Sequence, residues 1–137
     1  ANVCEVMNII GDVRDRKVII VDDMISSGES MIDVATELKK RNANRIFVVS
    51  TFGLFTNGLD KFDKAYENGI IDKVLTTNLI YQTPELLQRE WYINCDMSKY
   101  IAYIIDTLNH DSSISDLLNP YDRIKNYVKK YNDAKNA

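Results

Sequence analysis

The chain has 137 residues, 45% of them apolar, with 17 basic residues against 20 acidic ones and a formal charge of -3. That is one domain's worth of sequence and enough to bury a core, and its slight acidity removes the basic footprint on which nucleic-acid and membrane-surface partners depend. No apolar run reaches the roughly 20 residues of a membrane span, no signal peptide opens the chain, and Cys4 and Cys95 lie apart from any partner at metal-ligand spacing, so a reducing, cytoplasmic compartment without a cysteine metal centre is expected.

In chain order, the first clear element is "KVIIV" from Lys17, an apolar, β-branched run too short for a helix. Met31, Val34, Ala35 and Leu38 then recur at i, i+3, i+4 and i+7, the stripe of a helix that ends at Asn42 and Ala43. A second strand, "RIFVVS" from Arg45, closes a βαβ unit. A helix over Leu59 to Glu67, a strand in "DKVLT" from Asp72, a late strand near Trp91 and an amphipathic helix over Met97 to Leu108 follow. The strands read as buried and parallel, and the class is α/β with a mainly parallel sheet flanked by helices.

In such sheets ligands gather beyond the carboxyl ends of the strands. Asp22 to Ser30 is the expected loop there, and the small residues Ser26, Ser27, Gly28 and Ser30 let backbone N–H groups converge at a helix N-terminus, a cradle for an anion. Asp22 and Asp23, a few ångströms earlier, accept hydrogen bonds from neutral hydroxyls. Phosphate at one end and a diol at the other describe a sugar phosphate, with magnesium as the expected ion. Glu29 fits such a cradle only if its side chain points to solvent and its amide alone serves the ligand. The competing reading is simple helix capping by Ser27 or Ser30.

Together these residues carry a resemblance. "VIIVDDMISSGESM" resembles the phosphoribosyl-pyrophosphate loop of the phosphoribosyltransferase fold, and "STFGLFTNGLDKFDKA", "KVLTTN" and "AYIIDTLNHDSSISDLL" resemble, in the same order, the C-terminal half of ribose-phosphate pyrophosphokinase over roughly residues 2–118. The resemblance implies an enzyme that moves a diphosphoryl group from ATP to ribose 5-phosphate, using magnesium, to make phosphoribosyl pyrophosphate, in a homo-oligomer. It implies that Asp22 and Asp23 hold the ribose hydroxyls while Ser26, Ser27, Gly28, Glu29 and Ser30 wrap the 5-phosphate. Ser113 and Ser115 match a Ser-x-Ser segment that contributes to an allosteric phosphate site, and no catalytic residue is assigned in this chain. Two departures stand out: Ser26 replaces the acid that commonly opens the family's loop, and Leu118 replaces an aromatic residue. The family's ATP-binding half and basic catalytic loop have no counterpart here, so an inactive fragment is expected. Its expected organisation is a ribose-5-phosphate-binding domain over residues 1–118, incomplete at its N-terminus, and a helical extension over 119–137 in which Tyr121, Ile124, Tyr127, Val128 and Tyr131 fall near helical spacing among lysines. A phosphoribosyltransferase that consumes phosphoribosyl pyrophosphate and a non-catalytic regulatory homologue are the alternatives.

Among the other residues, His110 reads as an exposed or helix-end residue and Trp91 as core. Thr77 and Asn78, at a strand end, fit the site and a turn equally well, and Gly53, Asn57 and Gly58 mark a loop.

Overall fold

The β-branched run at Lys17 does form a strand, and it continues past the acidic pair. In a computed structural model, which describes residues 11–115 and 119–135, the elements are β1 (Lys17–Ile25), α1 (Glu29–Lys40), β2 (Arg45–Gly53), α2 (Asp60–Glu67), β3 (Lys73–Thr77), α3 (Pro84–Leu87), β4 (Tyr92–Cys95), α4 (Ser98–Asn109) and α5 (Tyr121–Lys135). The four strands make one parallel sheet in the order β1-β2-β3-β4.

Partners across a parallel ladder share a face. Val18, Ile46, Val74 and Tyr92 therefore lie on the face that meets Met31, Ala35 and Leu38 of α1 and Phe62 and Ala65 of α2. The predicted stripe on α1 is its core-facing side, with Val34 half-buried at its edge. Phe62 and Trp91 stack at 5.4 Å, and Phe55 meets Phe62 edge-on at 5.1 Å, so an aromatic cluster fills part of the core. Trp91 is core, as expected, and its indole N–H donates to Asp63 at 2.7 Å.

On the opposite face, Ile19 and Val21 are 62% and 75% exposed and Ile93 is 40% exposed. The expectation that every strand is buried is corrected here: α1 and α2 cover one face of the sheet, and among the described residues β1 has a strand neighbour on one side only.

Asp72 fastens the start of β2 to the start of β3. Its carboxylate accepts from Arg45 Nε at 2.7 Å and from the Ile46 amide at 2.8 Å. Partial burial pushes its pKa up, but the bonds from Arg45 and Ile46 outweigh that, so the net position is below the usual carboxylate value. A depressed folded-state pKa contributes stability above the unfolded-state value that is lost as pH falls through the folded one. Asp72→Asn is expected to lower unfolding free energy at pH 7 by about 1–2 kcal/mol, the scale of lost charge-assisted hydrogen bonds. Urea titrations should show that deficit shrinking as the pH is taken below the ordinary range of aspartate; a constant deficit would exclude the ionised latch.

The chain divides into two compact units, residues 1–97 with the sheet and residues 98–137 with α4 and α5. In the second, the Arg123 guanidinium lies 5.5 Å from the centre of the Tyr100 ring. Among the described residues no helix is long and apolar enough to cross a membrane.

Candidate sugar-phosphate site

The site begins inside a strand. Asp22 and Asp23 were expected to open a loop, yet Asp22 pairs with Ser50 of β2 and the ladder runs on through Met24 and Ile25 to Phe52 and Gly53. Backbone pairing with the long neighbouring strand overrides the poor strand propensity of aspartate. Consecutive strand positions send side chains to opposite faces, so the two carboxylates leave the backbone in different directions. Both residues are exposed, and Asp22 accepts from the Asp23 amide at 2.8 Å.

The loop proper is therefore Ser26 to Gly28. It is held from below by the next crossover: the Leu54 amide donates to the Ile25 carbonyl at 2.8 Å and the Thr56 amide to the Ser26 carbonyl at 3.0 Å. Ser26 is exposed, Ser27 half-buried and Gly28 buried. Gly28 has φ 79° and ψ -1° and is the N-cap of α1, with no side-chain capping bond. The capping reading for Ser27 and Ser30 is thus corrected, since the cap is a glycine without a side chain to offer. Ser27 Oγ reaches only the Glu29 amide, at 3.5 Å, a marginal contact. The first intrahelical bond runs from the Ile32 amide to the Gly28 carbonyl at 3.1 Å, which leaves the amides of Ser30 and Met31 without an intrahelical acceptor at the positive end of the helix dipole.

Gly28 is required for a second reason. A Cβ there would lie 2.2 Å from Phe62 Cζ, so the backbone of the loop rests directly on the buried ring.

The Glu29 side chain is exposed, as the sequence reading required, and forms a surface ion pair with Lys61 of α2. The hydrogen bond and charge of Lys61 lower the Glu29 pKa. The Lys61 charge thereby balances the carboxylate that would otherwise repel an anion. Lys61 and Phe62 are the two contributors that sequence reasoning missed, because 32 residues separate Glu29 from Lys61 and no local pattern links them. The groove between α1 and α2, about 390 Å³ and lined by Glu29, Ile32, Asp33, Lys61 and Ala65 among others, lies on the helix side of Glu29 and is distinct from the loop.

The remaining residues sort clearly. Thr77 Oγ1 donates to the Thr51 carbonyl at 2.6 Å, and Asn78 donates to Asp96 and accepts from the Met97 amide, each at 2.8 Å. Both tie strand ends together, which is the turn reading. Deeper in, Thr76 and Gln82 hydrogen-bond the Tyr92 hydroxyl, whose pKa burial raises. Gly58 has φ 78° in the turn after Phe55. His110 is exposed at the end of α4, its ring Nδ1 2.9 Å from the Asp106 carbonyl, as the sequence implied. In the second unit, the exposed Ser113 hydroxyl donates to Ser115 Oγ at 2.9 Å and accepts from the Ser115 amide at 3.2 Å. Leu118 lies outside the described residues.

Comparison with known proteins places the chain in a family. The chain is 38% identical over 115 residues to a ribose-phosphate pyrophosphokinase of Shewanella oneidensis, covering 84% of this chain and 36% of that protein. It is 36% identical over 120 residues to the corresponding protein of Vibrio parahaemolyticus, covering 87% of this chain and 37% of the relative. The chain thus spans little more than a third of the length of these relatives. Its fold is similar to that of a phosphoribosylpyrophosphate synthetase from Mycobacterium smegmatis, with a TM-score of 0.67 at 20% identity over 75% of this chain and 33% of that one. The family model described as the phosphoribosyl synthetase-associated domain matches residues 2–119, and with a glycine-capped loop at the carboxyl edge of its parallel sheet this chain belongs to that family.

Proposed function

We propose that this chain is the ribose-5-phosphate-binding part, the C-terminal half, of a ribose-phosphate pyrophosphokinase, which transfers diphosphate from ATP to ribose 5-phosphate. The observation that carries the reading is the uncapped start of α1 behind Gly28, directly after a strand bearing two exposed carboxylates. It is supported by relatives that are ribose-phosphate pyrophosphokinases.

In this reading the amides of Ser30 and Met31, with the hydroxyls of Ser26, Ser27 and Ser30, receive the 5-phosphate, while Asp22 and Asp23 accept from ribose hydroxyls. The 1-hydroxyl oxygen attacks the β-phosphorus of ATP in line, the bond from that phosphorus to the α–β bridging oxygen breaks, AMP leaves and the hydroxyl proton is released. Positioning and charge neutralisation are the protein's share, and no covalent nucleophile is needed. The exposed carboxylates of Asp22 and Asp23 are the residues that would help hold a magnesium ion together with substrate oxygens, and the ion would offset phosphate charge. Ser113 and Ser115, two exposed hydroxyls 2.9 Å apart, remain our assignment for an allosteric phosphate site in the homo-oligomeric enzyme.

Titration with ribose 5-phosphate and magnesium, followed by amide NMR, is expected to shift Ser27 to Met31 first. Asp22→Asn and Asp23→Asn should weaken ribose 5-phosphate about tenfold each, the scale of one lost charge-assisted hydrogen bond, while inorganic phosphate binds as well or better because a like charge is gone. Loss of inorganic phosphate binding in both variants would mean that the acids only hold the loop's shape.

A further inference from the structure

The groove between α1 and α2 is lined in layers by the successive turns of the two helices. Glu29 and Lys61, in the first turn of each, neutralise one another as an ion pair. One turn further on, α1 contributes Ile32 and Asp33 and α2 contributes Lys64 and Ala65, residues that share a face with the pair because they lie three and four positions along. Asp33 and Lys64 are exposed and line the same space from opposite walls, yet no ion pair joins them. Among the described residues neither has another charged partner.

We infer that this groove is a binding site for a small zwitterion with an aliphatic body, a molecule of the α-amino acid class, its ammonium toward Asp33 and its carboxylate toward Lys64. The floor between those charges is apolar and set by the core: Ala65 is buried, and Ile32 and Ile70 are half-buried and packed against the core cluster. The aliphatic side chain rests there. A volume of about 390 Å³ is within the range of sites that hold small molecules.

Charge complementarity selects that occupant. The charged lining is Glu29 and Asp33 on the α1 wall against Lys61 and Lys64 on the α2 wall, two acids and two bases, so a molecule without net charge enters without net repulsion. Because each sign is confined to one wall, the field across the groove has a direction, and a dipolar molecule aligned with it gains energy that a purely apolar one does not. A simple anion is drawn to Lys64 and repelled by Asp33, and a simple cation meets the reverse. Only a ligand carrying both charges satisfies both walls, and the Glu29–Lys61 pair, already satisfied, does not compete for it.

Amide NMR titration of the 137-residue chain with L-leucine at pH 7 is expected to shift Ile32, Asp33, Lys64 and Ala65 saturably, with a dissociation constant on the order of 1 mM, the scale for a ligand of so few atoms in an open groove. Two analogues separate the charges. 4-Methylpentanoate, which lacks the ammonium, and 3-methylbutylamine, which lacks the carboxylate, should each bind at least about fivefold more weakly, the effect of one lost charged contact at a partly exposed site. Asp33→Asn should weaken leucine by a similar factor and leave 4-methylpentanoate as it was or tighter, while Lys64→Met should weaken leucine and spare the amine. No saturable shift up to about 20 mM, some twenty times the expected constant, would overturn the inference. Equal binding of all three molecules would make the groove a plain apolar contact, and undiminished leucine binding in both variants would remove the charges from it; either result overturns the assignment. So would shifts confined to the loop from Ser26 to Ser30, which would place the carboxylate in the anion cradle instead.

Discussion

Phe62→Ala is expected to lower unfolding free energy by about 3–5 kcal/mol, the range for deleting a buried aromatic ring and leaving its cavity. The ring is 0% exposed, stacks on Trp91 at 5.4 Å and meets Phe55 edge-on at 5.1 Å, so two aromatic residues lose their common neighbour. The consequence reaches the site, because this ring is also the floor on which Gly28 rests. Urea unfolding should report the loss, and amide hydrogen exchange should quicken at Glu29 to Met31 ahead of the β2–β3 ladder. A loss below about 1 kcal/mol would show that the cluster closes over the gap, and would remove the link between core and loop.

Gly28→Ala is expected to lower unfolding free energy by about 2–5 kcal/mol, from two causes that can be separated. A left-handed backbone costs an L-residue about 1–2 kcal/mol, and Gly28 has φ 79°. Overpacking adds about 1–3 kcal/mol, since the new methyl would sit 2.2 Å from a ring with no room to retreat. Gly58→Ala and Gly69→Ala isolate the first cause: φ is 78° and 66° there, with nothing within 4 Å of the added carbon. Both controls should fall near the conformational cost alone. In the double variant Gly28→Ala with Phe62→Ala, the combined loss should be smaller than the sum of the two, because removing the ring relieves the overlap. Strict additivity would mean that the ring does not support the loop.

How much of this was legible in the sequence varies by element. β2 and β3 were marked by β-branched runs, and α1 by a stripe at helical spacing; both signals depend on nearby residues and survive folding intact. α3 was missed although Thr83 and Pro84 spell a helix start, because four residues are too few to show a period; the Thr83 side chain does accept from the Leu86 amide. The extent of β1 was misjudged for the opposite reason: a local signal, two aspartates, pointed to a loop, and pairing with β2 overruled it.

The loop itself divides along the same line. Its composition of small residues after a strand and before a helix was readable from Asp22 to Ser30 alone, and so was its likeness to a sugar-phosphate site. That Gly28 rather than a serine caps α1, that Lys61 pairs with the Glu29 carboxylate, and that Phe62 backs the glycine were decided by tertiary structure. Those facts require α2 to be laid beside α1 on one face of the sheet. Sequence by itself determined the α/β class, the order of most elements and the segment proposed to receive a ligand, because hydrophobic period, turn chemistry and motif order are properties of neighbours in the chain. Which side chain each charge meets, and which face of the sheet is covered, follow from contacts between residues tens of positions apart, and those exist only once the chain has folded.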